Sequence, residues 1–161
     1  MNFTEIGEKA SLIEFETSIG SFEVELYRNH APKTCTNLAT LAASNYYNQT
    51  VFHRVISGFI IQGGDPTGTG RGGESINSGE FEDEIVSTLR HTGAGILSMA
   101  SASGSQFFIT LAPTPHLDGK HTIFGRINKG MKTIELIGNS GTDANDKPLN
   151  DIIILKAKPI L

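Results

Sequence analysis

The sequence predicts a mainly β fold in a single domain, most simply a β-barrel flanked by two α-helices. Many short segments alternate apolar and polar residues with the period of a strand, whereas only two segments have the spacing of an amphipathic helix. The 18 glycines among 161 residues suit tight turns between short strands. A chain of this length can bury one core and is too short for two domains.

The first predicted elements are two strands and a helix. Residues 12–17 and 21–26 alternate in hydrophobicity, and Ser18-Ile19-Gly20 supplies the turn between them. The helix should begin at Ala31-Pro32, because proline is favoured in a first turn, and should end near Ser44-Asn45. Its apolar face carries Cys35, Leu38, Leu41 and Ala42.

The rest of the chain adds strands and one short helix. Residues 51–65, VFHRVISGFIIQGGD, have the composition of a strand that is interrupted at Ser57-Gly58. Four further strands are predicted at residues 95–100, 106–111, 122–127 and 151–157. The second helix is predicted over residues 131–137, with Met131, Ile134 and Ile137 on one side and Gly138 at its end.

Charge and cysteine content restrict the functional classes. A formal net charge of −4 provides no general basic surface, so we expect neither direct nucleic acid binding nor a membrane partner. No window is apolar for the length of a membrane span, and the N-terminus lacks the pattern of a secretion signal. The single cysteine, Cys35, excludes an internal disulfide and favours a reducing compartment, the cytoplasm and/or the nucleus.

Two apparent ligand motifs do not have the required context. Gly68-Thr-Gly-Arg-Gly-Gly73 has the spacing of a dinucleotide-binding loop, but the polar, glycine-containing residues that follow do not form an amphipathic helix. The five histidines and Cys35 are not spaced like metal ligands. The sequence therefore predicts no cofactor and no metal.

Polar side chains in apolar segments indicate a binding pocket. Residues an even number apart on a strand face the same way, so Gln106 and Phe108 should share one face. Together with Arg54 and Gln62, they are predicted to converge on one apolar patch that carries a few oriented donors. An exposed Arg54 that forms an ion pair with an acidic side chain is the alternative that the pattern leaves open.

Alternation also predicts how the interrupted strand is arranged. Phe52, Arg54 and Ile56 are expected on one face before the interruption. Ile60 and Gln62 are expected on one face after it.

Six motifs in this order identify a family: HAPKTC, FHRVISGFIIQGGD, GTGRGG, GILSMA, GSQFFIT and LDGKHTIFG. From about Leu12 to Ala157 the sequence resembles the cyclophilins, the cyclosporin-binding peptidyl-prolyl cis/trans isomerases. It is most similar to small single-domain members, including the spliceosome-associated type. The resemblance implies an eight-stranded antiparallel barrel with two helices over residues 12–161, preceded by an N-terminal extension at residues 1–11 that is a candidate for disorder.

The resemblance also implies an activity and a set of site residues. The activity is isomerisation of X-Pro bonds in proline-containing peptides and protein clients, without a cofactor. Arg54 matches the main catalytic residue of the family. The other residues implied in catalysis are Phe59, Gln62, Phe108 and His121. The residues implied in substrate binding are Phe52, His53, Ile60, Gly70, Ala100, Ser101, Ala102, Gln106, His116 and Leu117.

Two departures from the family pattern bear on ligands. His116 stands where many members have tryptophan, so cyclosporin is expected to bind more weakly. Ser101 stands where the family has asparagine, and the loop that follows is several residues shorter, which changes the wall of a neighbouring subsite. The alternative to an enzyme is a proline-binding module with little turnover, since binding and catalysis use overlapping residues. Spliceosomal proteins are candidate partners, and a monomer is expected.

Overall fold

The structure is a computed structural model that describes residues 1–76, 82–100 and 104–161. The described residues form nine strands in one antiparallel sheet, three α-helices and a short 3-10 helix at Pro115–Leu117. The strands are β1 (Leu12–Thr17), β2 (Gly20–Leu26), β3 (Thr50–Val51), β4 (Arg54–Ile56), β5 (Ile60–Gly63), β6 (Ile96–Met99), β7 (Phe107–Thr110), β8 (Ile123–Lys129) and β9 (Ile153–Ile160). The helices are α1 (Phe3–Lys9), α2 (Pro32–Ala43) and α3 (Met131–Gly138).

The sheet closes on itself through one interrupted segment. Its strand order is β3-β9-β1-β2-β8-β6-β7-β5-β4, so β3 and β4 lie at opposite ends of the order. In the chain, however, only Phe52 and His53 separate these two strands. Residues 50–56 therefore pair with β9 through β3 and with β5 through β4. Counted as one strand, this segment gives the eight strands expected of the barrel.

Aromatic rings fill the interior of the barrel. Phe15 stacks on Phe22 with ring centroids 4.9 Å apart, and Phe107 contacts both Phe15 and Tyr47 at 5.7 Å. The Tyr47 hydroxyl donates to the Ser105 carbonyl at 3.0 Å, which satisfies the one polar atom that this ring brings inside. The strands thus share a single packed core.

Helix α2 begins and ends within two residues of the predicted bounds, and its predicted apolar face is buried. It has no side-chain cap of its own, because Ala31 precedes it. The distant Glu84 carboxylate accepts instead from the backbone N–H groups of Lys33 and Thr34 at 3.2 and 2.7 Å. The thiol of Cys35 donates to the Phe124 carbonyl, and burial raises the pKa of Cys35 to about 12. Cys35 is thus a core residue with an unreactive thiol.

Helix α1 corrects two expectations, since the N-terminal residues are ordered and a third helix is present. The Asn2 side chain accepts from the Glu5 backbone N–H at 2.8 Å and caps the helix. Gly7 is buried against α2, and Arg28 donates to the carbonyl oxygens of Gly7 and Ala10. The local sequence pattern does not predict this helix, because the helix is short and is held by residues far along the chain.

Candidate active site

A cleft of about 410 Å³ opens on one side of the barrel. It is lined by Arg54, Phe59, Ile60, Gln62, Gly70, Ala100, Gln106, Phe108, Leu117 and His121. All ten residues were implied as site residues by the sequence resemblance. The cleft is large enough for a small peptide side chain and part of the flanking backbone.

The register of three adjacent strands brings the central residues together. Arg54 on β4 pairs with Gln62 on β5, and Gln62 pairs with Phe108 on β7. Directly paired residues project from the same face of a sheet. The guanidinium, the amide and the phenyl ring therefore form one row across the cleft, as the alternation pattern predicted.

One side of the cleft, the polar wall, consists of Arg54, Gln62 and Gln106. The Arg54 guanidinium donates to Gln62 Oε1 at 3.5 Å, and Gln62 Nε2 donates to Gln106 Oε1 at 3.0 Å. Gln106 Nε2 in turn donates to the Gly72 carbonyl at 2.9 Å. Arg54 is exposed, lines the cleft and makes no ion pair with a described residue.

The other side, the aromatic wall, is apolar and consists of Phe59, Ile60, Phe108, Leu117 and His121. Phe108 is only 3% exposed and meets His121 edge-on, with ring centroids 5.3 Å apart. His121 Nδ1 lies 3.0 Å from the Met99 carbonyl, which fixes the orientation of the imidazole. This wall presents a shaped apolar surface of the kind that a pyrrolidine ring fits.

A buried histidine supports the aromatic wall from behind. His91 stacks on Phe108 at 6.0 Å, and its Nε2 contacts the Ser98 hydroxyl at 3.1 Å. The Asp118 carboxylate accepts from the His91 backbone N–H at 2.6 Å and lies 2.8 Å from His91 Nδ1. The backbone N–H of His91 is the main reason that the pKa of Asp118 is lowered. No spacing in the sequence signals this support.

A buried carboxylate, Asp65, organises the loop that follows β5. Asp65 is completely buried and accepts from Thr67, Gly70 and Gly72. Burial alone would raise the pKa of Asp65, but the hydrogen bonds together outweigh it and lower the pKa to about 2. Gly70 has a φ of +87°, in the left-handed region, which lets the loop turn where it meets the cleft.

Two residues predicted to bind substrate do not line the cleft. Phe52 is 1% exposed and packs in the barrel core. The prediction that Phe52 and Arg54 share a face is wrong, because the strand is broken at Phe52-His53 and alternation does not continue across the break. His53 lies behind the cleft, and a side chain at position 70 would come within 3.3 Å of His53 Nε2. Burial is the largest cause of the lowered pKa of His53.

Three further predicted residues lie beside the cleft or outside the described chain. His116 does not line the cleft, and its ring stacks on Phe59 with centroids 5.3 Å apart. Ser101 and Ala102 lie outside the described residues, whereas the preceding Ala100 lines the cleft. Among the described residues, no group of three or more side chains is arranged to hold a metal ion, and no helix is long and apolar enough to cross a membrane.

Comparisons with known proteins agree with this geometry. The sequence profile of the family described as "Cyclophilin type peptidyl-prolyl cis-trans isomerase/CLD" matches residues 12–159. Peptidyl-prolyl cis-trans isomerase-like 1 of Emericella nidulans is 61% identical over 155 residues, which are 94% of this chain and 96% of that protein. Peptidyl-prolyl cis-trans isomerase ppi1 of Schizosaccharomyces pombe is 58% identical over 149 residues, 90% of this chain and 96% of the relative.

A solved structure gives the same result for the fold. It is the crystal structure of a Cryptosporidium parvum cyclophilin type peptidyl-prolyl cis-trans isomerase in the presence of the dipeptide Ala-Pro. It matches with a TM-score of 0.91 and 44% identity, covering 93% of this chain and 99% of that chain.

Proposed function

The chain belongs to the cyclophilin-type peptidyl-prolyl cis-trans isomerase family and is an isomerase of X-Pro bonds, and we propose that Arg54 is its catalytic residue. The observation that carries this proposal is the row formed by Arg54, Gln62 and Phe108 across three paired strands. The row places a charged donor beside an apolar surface within one cleft. A proline ring needs the apolar surface, and the peptide bond preceding it needs the donor.

The barrier that the enzyme must lower comes from amide conjugation. Rotation about a peptide bond breaks the partial double bond and costs about 18–20 kcal/mol. Without a catalyst, an X-Pro bond isomerises over tens to hundreds of seconds. Catalysis therefore requires groups that bind the twisted bond more tightly than either planar form.

The Arg54 guanidinium is suited to that task. As the bond twists, the prolyl nitrogen becomes pyramidal and gains a lone pair that accepts a hydrogen bond. Arg54 donates to this nitrogen in the twisted state, and the nitrogen of a planar amide has no such lone pair to offer. Every tenfold gain in rate requires about 1.4 kcal/mol, so one charged hydrogen bond contributes one to two factors of ten.

The remaining residues hold the substrate during rotation. The aromatic wall binds the pyrrolidine ring, and Gln62 and Gln106 hydrogen-bond to the flanking peptide. The carbonyl side of the bond then turns against an anchored ring. The crystal structure of the Cryptosporidium parvum relative in the presence of Ala-Pro supports proline-containing peptides as ligands of this cleft.

NMR exchange spectroscopy on a short X-Pro peptide tests the role of Arg54. Catalytic amounts of the wild type should produce cis/trans exchange cross-peaks, and Arg54→Ala should lose them while the peptide still shifts on binding. Retained exchange with Arg54→Ala would overturn the assignment. If the wild type also shifted the peptide without speeding exchange, the cleft would be a proline-binding module with little turnover.

Partners and compartment are proposed on sequence grounds. We propose that the protein resides in the cytoplasm and/or the nucleus. The single cysteine, Cys35, which is free and buried, supports this reducing compartment. We also propose that the protein is a monomer. Spliceosomal proteins are the candidate clients, supported by the sequence resemblance to the spliceosome-associated type. Affinity capture with the wild type and Arg54→Ala, followed by peptide identification, tests this assignment. A set of captured proteins without spliceosomal components would contradict it.

Cyclosporin should bind more weakly than it binds to family members with tryptophan at the position of His116. His116 stacks on Phe59 at the edge of the aromatic wall, and an imidazole offers less apolar area than an indole. We expect His116→Trp to strengthen binding about tenfold in calorimetry, because one added aromatic contact contributes about 0.5–1.5 kcal/mol. A nanomolar inhibition constant for the wild type would contradict this expectation.

A further inference from the structure

The buried carboxylate of Asp65 divides its hydrogen bonds between two parts of the loop that follows β5. Its Oδ1 accepts from the backbone N–H and the hydroxyl of Thr67, both at 2.8 Å. Its Oδ2 accepts from the backbone N–H groups of Gly70 and Gly72 at 2.7 and 3.1 Å. Asp65 thus holds the backbone N–H of Gly72, next to the Gly72 carbonyl, although its own side chain does not line the cleft.

Gly72 connects this loop to the polar wall. Its carbonyl accepts from Gln106 Nε2, so Gln106 Oε1 is the end of that amide that faces Gln62. An amide oxygen accepts and does not donate, so Gln106 Oε1 pairs with Gln62 Nε2, and Gln62 Oε1 then faces Arg54. Because a side-chain amide donates at one end and accepts at the other, the orientation of the first amide determines that of the second.

We propose that Asp65 is a positioning residue that sets the direction of the Arg54 guanidinium through Gly72, Gln106 and Gln62. When the Gly72 carbonyl is in place, both amides are oriented so that an oxygen faces the guanidinium. When the carbonyl is displaced, Gln106 loses this acceptor, and a turn of the two amides would present Gln62 Nε2 to Arg54. Two donors would face each other, and Arg54 would move away from the position that the prolyl nitrogen requires. The proposal rests on the catalytic role of Arg54 proposed above.

A loop-stabilising role alone makes a different prediction. If Asp65 only kept the loop folded, its loss would lower stability and would weaken substrate binding and turnover together. A positioning role lowers kcat by a larger factor than it raises KM, because the aromatic wall that binds the proline ring does not depend on the amide orientation, and only the contacts of Gln62 and Gln106 with the flanking peptide do. The two roles therefore separate in kinetics.

The first test compares three variants by NMR exchange over a range of peptide concentrations. Asp65→Ala should lower kcat on the order of tenfold to a hundredfold, as misplacement of a catalytic group does, with a much smaller change in KM. Asp65→Asn should retain most of the activity, since its carbonyl oxygen can still accept from Gly70 and Gly72. Thr67→Val is the matched control, because it removes a hydrogen bond to Asp65 Oδ1 and leaves the bonds to Oδ2 in place.

A second variant keeps the test valid if Asp65→Ala does not fold. A side chain on Gly72 would come within 2.4 Å of Asp65 Oδ1, so Gly72→Ala displaces the same peptide unit from the other side. It should give the same selective loss of kcat. Equal kcat for the wild type and a folded Asp65→Ala or Gly72→Ala would overturn the proposal.

A double-mutant cycle tests whether the effect passes through Gln106. Gln106→Met removes the amide that donates to the Gly72 carbonyl. The double variant Asp65→Ala with Gln106→Met should therefore have a kcat only slightly lower than that of Gln106→Met alone. Fully additive losses would overturn the proposal. Arg54→Ala, measured in the same experiment, separates the catalytic role of Arg54 from the positioning role of Asp65. If Arg54→Ala loses exchange and Asp65→Ala does not, only the positioning role fails, whereas an active Arg54→Ala contradicts the catalytic assignment itself.

Discussion

The polar wall and the aromatic wall of the cleft are built in different ways. Arg54, at the end of the polar wall, is exposed and, among the described residues, is directed by a chain of single hydrogen bonds. Phe108, at the centre of the aromatic wall, is 3% exposed and is packed between His91 and His121. Each wall is nevertheless held by an acidic side chain behind it, the buried Asp65 or the partly exposed Asp118. The difference indicates that the direction of the donor and the shape of the binding surface are maintained separately, so mutations can separate catalysis from binding.

The largest expected effect separates the two walls at Arg54. Arg54→Lys should lower kcat about a hundredfold and leave KM nearly unchanged, because an ammonium group is a point donor without the planar fork of a guanidinium. NMR exchange measures both constants. Arg126→Lys is the control, since Arg126 pairs with Glu25 on the exposed barrel surface. A proportional rise in KM with unchanged kcat would show that Arg54 binds rather than catalyses.

The next effect concerns the aromatic wall. Phe108→Leu should raise KM about tenfold and change kcat little, because the pyrrolidine ring loses roughly 1–1.5 kcal/mol of ring contact while Arg54 keeps its partners. Phe22→Leu is the matched control, since Phe22 is a buried core ring of the barrel that does not line the cleft. It should lower stability without changing KM. A loss confined to kcat in Phe108→Leu would contradict the separation of the walls.

A smaller effect is expected at the support of the aromatic wall. Asp118→Ala removes the acceptor of the His91 backbone N–H and should lower the free energy of unfolding by about 1–3 kcal/mol. Chemical denaturation measures this change. Asp151→Ala, at an exposed position, should leave stability unchanged. If Asp118→Ala were as stable as the wild type, His91 would not depend on Asp118 for its position.

The smallest effect is the pH dependence that comes from His53, behind the polar wall. Its pKa is lowered chiefly by burial, with further lowering from Arg54 and Lys147 and an opposing effect from Asp65. His53 therefore binds a proton more readily in the unfolded chain than in the folded chain. Its contribution to the free energy of unfolding should be constant above about pH 6.5 and should fall below that pH. Denaturation at pH 7.5 and 5.5 should show a smaller difference for His53→Gln than for the wild type. Equal differences would exclude His53 as the source.

Much of the fold could be predicted from local patterns. The strands at residues 12–17 and 20–26 and the helices at 32–43 and 131–138 were found because each has a clear period and a marked beginning or end. Helix α1 was missed because its stability comes from Arg28 and from packing on α2. The orientation of Phe52 was predicted wrongly because the break at residues 52–53 has no glycine or proline to mark it.

The residues of the candidate site also fall into those that the sequence could predict and those that it could not. The residues that line the cleft could be named because they lie within contiguous motifs. The residues that support it could not, because His91 and Asp118 are separated by 27 positions and meet only in the folded barrel. Asp65 precedes a glycine-rich stretch, and its hydrogen bonds to Gly70 and Gly72 depend on how that stretch folds.

The pairing of β1 with β9 has a consequence for synthesis of the protein. Leu12 is synthesised well before its partner Ile160, so the seam between these strands forms only after all the residues between them have emerged from the ribosome. Until then Phe15 and Phe22 are only partly buried, and the nascent chain exposes apolar surface that favours aggregation. Pairings this distant in sequence also form slowly. An enzyme of proline isomerisation would thus itself be a candidate for chaperone assistance during its own synthesis.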